Sequence, residues 1–403
     1  MIYGPMRERP DHFASAFIYS EEFSKFEYSS SHPFKPIRAK LTLDLCRRYG
    51  LVDWPWIRIL PPQATDIRTL AEFHDETYLK VLKAIDCDET ARELWPDLRS
   101  KEDLKGDPRL LKYGLGTEDN PVFSGVLDFS LLTAGATLLG AKKIADGEIQ
   151  VAFNPVGGFH HAARDHAEGF CYVNDIAVAV IQLLKKGLRV AFVDIDAHHG
   201  NGVQDAFYAD DRVLVISFHQ NGRDIYPWSG FENEIGEGRG KGFTVNVPLP
   251  AGTDDEIFER AFQEIVPPLL GAFKPDLVIG ELGADTHVAD PLSDLNLTNL
   301  GYSRTVEKLA EISPRLLALG GGGYDLYKTA RNWTLAWAVL NGLEPHDEFA
   351  GVVGGMMFGP EADAGEIYDK KFVTGGRTKE LVRQEVDRVV ASIKTAVFPL
   401  HKI

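Results

Sequence analysis

Eight short apolar runs punctuate the chain, and most of them end at glycine, proline or a polar cluster. They are ASAFIYS (14–20), IRIL (57–60), IQVAFNP (149–155), RVAFVDID (189–196), VLVISFH (213–219), FTVNVPL (243–249), PDLVIGELG (275–283) and PRLLALGGGG (314–323). The runs are nearly continuous rather than alternating, which predicts strands buried on both faces. Helical patterns separate most of them, over 32–51 (Leu41, Leu45 and Tyr49 at a spacing of four), 66–85, 123–147 and 173–187. Alternation of this kind predicts one parallel α/β sheet with helices on both faces. A 403-residue chain has room for two or three domains by length, but a sheet of this type buries enough core to hold it as one, 1–403. The more polar stretch 86–120 predicts an irregular surface excursion. The tail 345–403 starts irregularly with GVVGGMMFGPEADAG and ends in a helix around 378–397. Its stripe of Val382, Val386, Val389, Ile393 and Val397 predicts packing against the domain, with contact between copies of the chain as the alternative.

Composition narrows the function classes. The chain is 44% hydrophobic and 25% charged, which is ordinary for a globular protein. Its formal net charge of −16 repels phosphate backbones and argues against direct nucleic-acid binding. Cys46, Cys87 and Cys171 are few, odd in number and widely spaced, so neither a disulfide framework nor a CxxC zinc site is expected. A reducing, cytoplasmic setting fits that usage. The sequence has no apolar leader and no run long enough to span a membrane.

The segments that leave the strands are more informative. In open α/β sheets, ligands bind outside the carboxyl ends of the strands. Five of the runs discharge polar residues there: VGGFHHAARDHAEGFCYVND, DIDAHHGNG, FHQNGRDIYP, LGADTHVADP and GGGGYD. Convergence of five such endings on one rim predicts a site.

In DIDAHH, alternation along an extended strand puts Asp194, Asp196 and His198 on one side. Adjacent carboxylates with no Lys or Arg between them repel and lose solvation, and a cation resolves both problems. Asp and His suit zinc, with iron(II) or cobalt(II) as alternatives. Asp285 in ELGADTH is the candidate third ligand; the competing reading has it capping a helix, with Asp196 paired to an arginine. Three ligands leave the metal open to water and substrate, the mark of a catalytic site. Hydrolysis then needs a base, an acid and an oxyanion donor. GGFHHA offers His160 and His161, with Asp194 and Asn201 available to set their tautomers. GGGGYD lacks the Lys-Ser/Thr of a phosphate cradle, and Tyr324 after it can donate to an oxyanion.

With GGFHHA, GFCYVNDIAVA, VDIDAHHGNGVQ, ELGADTH…DPL…LT and LGGGGYD together, the chain resembles the zinc-dependent histone deacetylase family, in the arginase–deacetylase fold. The likeness runs from about residue 15 to 340, leaving a C-terminal extension over 345–403. FIYSEEF…HPFKPIRAK and the tail look most like the prokaryotic acetoin utilization branch. The resemblance implies one α/β domain with about eight parallel strands. It implies zinc on Asp196, His198 and Asp285, with His161 as general base and His160 a charged neighbour backed by Asp194. Tyr324 would hold the substrate carbonyl, near Gly322 of the glycine run. Gly169 and Phe170 would form one tunnel wall and Tyr226 the other, with Asp119 on the rim and Leu292 at the gate. A monovalent cation, potassium, would lie near Asp194, Asp196, His198 and Ser217. One departure stands out: Asn201 occupies a position where many members carry Asp. The expected activity is deacetylation of acetyl-lysine in a protein or peptide, since Leu292 is not the acidic gate of polyamine-specific branches. Alternatives are an acylated small amine such as an acetylpolyamine, a non-catalytic binding protein, and an arginase-like ureohydrolase, which would want more bridging aspartates.

Overall fold

The computed structural model of the chain describes residues 13–104, 106–345 and 367–403. The irregular reading of GVVGGMMFGPEADAG lies outside them. All eight apolar runs are strands: β1 (Ser15–Ile18), β2 (Ile57–Leu60), β3 (Val151–Asn154), β4 (Val190–Asp194), β5 (Val213–Gln220), β6 (Thr244–Leu249), β7 (Leu277–Glu281) and β8 (Leu316–Leu319). They form one parallel sheet in the order β2-β1-β3-β8-β7-β4-β5-β6. Apart from the edge strand β2, every strand is buried along its whole length, because helices cover both faces.

The register aligns the strand ends that matter. Asn154, Leu319, Glu281, Asp194 and Ser217 are partners in a single row across β3, β8, β7, β4 and β5. The segments leaving that row therefore start side by side. Helix caps stiffen them. Asn174 accepts from Ala177 N (2.8 Å) at the start of Asp175–Lys185, and Asp325 accepts from Tyr327 N and Lys328 N at the start of Leu326–Leu340.

Three expectations are corrected. The strand predicted over 189–196 stops at Asp194. Beyond it the chain turns, with Asp196 N donating to Asp194 Oδ1 (3.0 Å) and His198 N to Asp196 Oδ1 (2.8 Å). These turns, rather than the pleat, set the directions of Asp196 and His198. The helix predicted over 66–85 breaks into Ile67–Leu70 and Glu76–Ala84 because Asp75 caps the second piece, accepting from Thr77 N and Tyr78 N. Residues 86–120 are not merely a surface excursion: helices Asp88–Leu94 and Pro108–Leu111 occur there, and Leu98, Leu104, Leu110 and Leu115 are buried.

The terminal helix Gly376–Ala396 lies against β6 and helix Asp255–Phe273. Its predicted stripe is buried there. Among the described residues no helix is long and apolar enough to cross a membrane, and the three cysteines form no disulfide.

Candidate metal centre and proton-transfer site

Four segments meet beyond the aligned row. After β4 come Asp196 and His198, and after β7 comes Asp285; all are buried. One ligand atom from each lies within 4.8 Å of the others. His198 Nδ1 stands 2.9 Å from Asp285 Oδ2 and 3.1 Å from Asp196 Oδ1. Asp285 Oδ1 accepts from Ala197 N (2.7 Å), which ties the two segments together. Gly322, after β8, donates its N–H to Asp196 Oδ2 (2.7 Å). A Cβ on Gly322 would stand 2.1 Å from Asp285 Oδ2, so only glycine allows this approach.

The donor chemistry fits a divalent cation. Asp194, Asp196, Glu281 and Asp285 are all buried in one site, and among the described residues no Lys or Arg pairs with any of them. Burial and the charge of Asp196 push Asp285 up to about 8. Burial would also raise Asp196, but hydrogen bonds to His198 and Asp285 and the charges of His160 and His198 together outweigh it and hold this carboxyl down. Ionised together, these four carboxyls would carry more negative charge than the neighbouring imidazoles balance, and a cation would let them ionise. A second set, His160, Asp196 and Glu281, is equally tight. It suits a metal less well, because both His160 nitrogens are already engaged.

The loop after β3 carries those histidines. Asp175 accepts from Gly158 N (3.2 Å) and Phe159 N (2.8 Å) and so fixes the loop. His160 Nδ1 meets Asp194 Oδ2 at 2.9 Å, and His160 Nε2 meets His161 Nε2 at 3.1 Å. Burial alone would lower His160, but the charge and hydrogen bond of Asp194 outweigh it, and its affinity for a proton rises. Burial lowers His161 well below the ordinary range, and charges on His160 and His198 lower it further. A charged His160 can therefore donate from Nε2 to the bare Nε2 of a neutral His161. His161 Nδ1 meets Asn201 Oδ1 at 2.7 Å. That contact depends on Gly202, where a Cβ would stand 2.6–2.7 Å from the carbonyls of His160, His161 and Ala162.

Tyr324 follows the glycine run. Its N–H donates to Asp290 Oδ2 (2.7 Å), and its ring lies edge-on to Phe170 at 5.6 Å and near His198 at 6.3 Å. Burial, with Asp285 and Asp196 nearby, raises its phenol well above the ordinary range, so it remains a donor. Gly169 and Phe170 are the centre of a tight turn in which Glu168 and Cys171 exchange backbone hydrogen bonds of 3.0 and 2.8 Å. Both central residues have positive φ, 51° and 68°. A small cavity of about 20 Å³, room for one water, is lined by His160, His161, Gly169, Phe170, Asp196, Gly322 and Tyr324, among others.

Tyr226, Asp119, Leu292 and Ser217 are not among the residues that line this cavity. Tyr226 packs on His161 at 5.2 Å between ring centres. Asp119 is exposed, and its carbonyl accepts from His32, whose ring abuts Phe170 at 4.6 Å. Leu292 is half-buried, with its N–H on Asp290 Oδ1 (2.9 Å). Ser217 is the register partner of Asp194 and bonds His219 Nδ1 at 2.9 Å.

Sequence reasoning missed three neighbours. Glu281 is fully buried with Oε1 unpaired among the described residues and 4.0 Å from His160 Nδ1. Burial and the charges of Asp196 and Asp194 push it well above the ordinary carboxyl range. An acid inside an otherwise apolar strand was its available signal. Arg38, buried on helix Ile37–Arg48, donates to the carbonyls of Gly323 (2.5 Å) and Gly321 (3.0 Å). Glu168 accepts from Asn201 Nδ2 at 3.3 Å. Neither of these two carries a local sequence signal.

Residues 32–340 match the model of the histone deacetylase domain. The chain belongs to the histone deacetylase family. It is thereby a hydrolase of the deacetylase class, in a family that depends on zinc. Histone deacetylase 19 of Arabidopsis thaliana is 37% identical over 345 residues, covering 86% of this chain and 66% of that protein. Histone deacetylase 1 of Homo sapiens is 33% identical over 382 residues, covering 95% of this chain and 74% of that protein. The chain thus spans about two thirds to three quarters of the length of these relatives. A crystal structure of an HDAC homologue from Aquifex aeolicus superposes with TM-score 0.77 at 31% identity, covering 94% of this chain and all of that one. An HDAC homologue complexed with SAHA superposes with TM-score 0.78 at 32% identity, covering 95% of this chain. With these likenesses, the eight-stranded parallel sheet described above is the arginase–deacetylase fold.

Proposed function

We propose that the chain hydrolyses the side-chain amide of acetyl-lysine in a protein or peptide. The observation that carries this reading is the meeting of Asp196, His198 and Asp285 beside a narrow cavity that Asp196, the His160–His161 pair and Tyr324 line. Asp196, His198 and Asp285 would hold zinc, which supplies polarisation of the acyl carbonyl and a more acidic water. His161 Nε2 takes a proton from the attacking water and later delivers it to the leaving amine. His160 stays charged against Asp194 and faces the developing negative charge. The Tyr324 hydroxyl donates to the carbonyl oxygen as it becomes an oxyanion. Phe170 and Tyr226 flank the path of a slender acyl-lysine arm, Asp119 on the rim can accept from peptide N–H groups, and Leu292 leaves the entrance without an acid. Asp194, Asp196, His198 and Ser217 would hold potassium. The unpaired cysteines suit a reducing, cytoplasmic setting.

The test is a panel of acyl-lysine peptides and acetylpolyamines, assayed with zinc-loaded protein and with His161→Ala. Acetyl-lysine peptides should be cleaved best, chelation should abolish activity, and zinc should restore it. Preferential cleavage of polyamines, or full activity in His161→Ala, would overturn the reading.

A further inference from the structure

The base in this reading is backed by an amide, and an amide has two ends. Turned one way, Asn201 offers His161 Nδ1 an oxygen. Turned the other way it offers an NH2, which would force the imidazole proton onto Nε2 and block the lone pair that takes the proton from water. Something must choose between the two orientations.

We propose that Glu168 makes that choice: it is a positioning residue that fixes the Asn201 side chain, and through it the Nδ1–H tautomer of His161. A carboxylate only accepts hydrogen bonds. Glu168 Oε2 lies 3.3 Å from Asn201 Nδ2, so that end of the amide must be the NH2. The oxygen then faces His161 Nδ1 at 2.7 Å, and His161 must donate there. Nε2 is left bare toward His160 and the cavity. Glu168 also places a negative charge one group behind His161, where a carboxylate in place of the Asn201 amide would place it directly.

The surroundings hold Glu168 in this role. It opens the tight Glu168–Cys171 turn, whose paired backbone hydrogen bonds fix its Cα. His166 Nε2 stands 3.4 Å from the same Oε2, and Asp165 Oδ1 stands 2.8 Å from His166 Nδ1. Burial would raise Glu168, but the hydrogen bonds and charge of His166, with Tyr226 and Asn201, together outweigh it and hold the carboxyl below its ordinary range. Donating to Glu168 pushes His166 up to about 9, so a cation lies on the solvent side of this relay. Glu168's charge also reaches Tyr226 and Asp205. The order from solvent inward is Asp165, His166, Glu168, Asn201, His161.

The inference rests on His161 as the base, and its test separates the two. Glu168→Gln is isosteric and its site is partly exposed, but its amide can donate as well as accept, so the orientation of Asn201 is no longer dictated. With an acetyl-lysine peptide, kcat should fall about tenfold while KM holds, because Glu168 does not touch substrate. In an Asn201→Asp background the same change should cost nothing or raise kcat, since a carboxylate there has two like ends, needs no orientation and loses a repelling neighbour. Nitrogen-15 spectra of the His161 ring should show Nδ1–H in the parent and a mixture in Glu168→Gln. An unchanged kcat and tautomer in Glu168→Gln, or an equal loss in both backgrounds, would overturn the proposal. If His161→Ala stayed active, the base assignment would fail, while the tautomer spectra would still report on Glu168.

Discussion

Gly322 shows how little room the ligands have. A methyl group there would meet Asp285 Oδ2 at 2.1 Å and Asp196 Oδ2 at 2.6 Å, and would remove neither ligand. Gly322→Ala should weaken zinc binding about 10–100-fold, measured by competition with a chelator; wild-type affinity would refute the crowding. Tyr324→Phe keeps the ring on Phe170 but deletes the donor. Its kcat should fall about 10²–10³-fold with KM little changed, and an unchanged kcat would exclude an oxyanion role. Asn201→Asp puts a full charge behind His161, so its imidazolium is better stabilised and the acidic limb of the pH–rate profile should move to higher pH. A limb that stays put would count against the His161–Asn201 pairing. Asp196, His198, Asp285, His160, His161 and Tyr324 are legible in the sequence because each comes directly after an apolar run. Arg38 and Glu168 are not, because each reaches the site from a segment whose local pattern is ordinary.

At the scale of elements, the segment Ile367–Thr374 acts as a strap over the loop that carries Asp285. Asp369 accepts from His287 Nε2 (2.7 Å) and Asn299 N (3.0 Å), and pairs with Lys328 and Arg331 at 3.3 Å each. His287, two residues past Asp285, in turn accepts from Ala289 N at Nδ1 (3.0 Å). Asp369→Ala would strand two buried donors and two cations. It should destabilise the fold by about 2–4 kcal/mol, read from the urea midpoint; an unshifted midpoint would show that the strap is passive. The sequence shows a tail but not its landing place, since no pattern links Asp369 to His287 across 82 residues. Residues 86–120 mislead for a related reason. Their helices are too short to display a period, so the buried leucines look isolated.

At the scale of the whole molecule, stability should depend on pH through two buried imidazoles outside the proposed ligand set. Burial lowers His74 and His219 to about 4, from an ordinary 6.5. The unfolded chain therefore binds more protons between those values. Stability is full above about 6.5 and is lost as pH falls toward 4, by up to about 3 kcal/mol for each group. Urea midpoints at pH 7 and pH 5 check this, and a midpoint that rose on acidification would refute it. The number and order of the runs make the sheet legible, but not its strand sequence, because apolar runs carry no address. That order has a consequence for how the molecule can be divided. β8, the last strand among the described residues, sits between β3 and β7. It is a keystone: without it the sheet becomes two arches, β2-β1-β3 and β7-β4-β5-β6, with the histidine pair on one and the carboxylates on the other. A cut or insertion ahead of Leu316 would not trim the protein but part it, so reconstituting function from two fragments should require the piece bearing β8 to wedge between both.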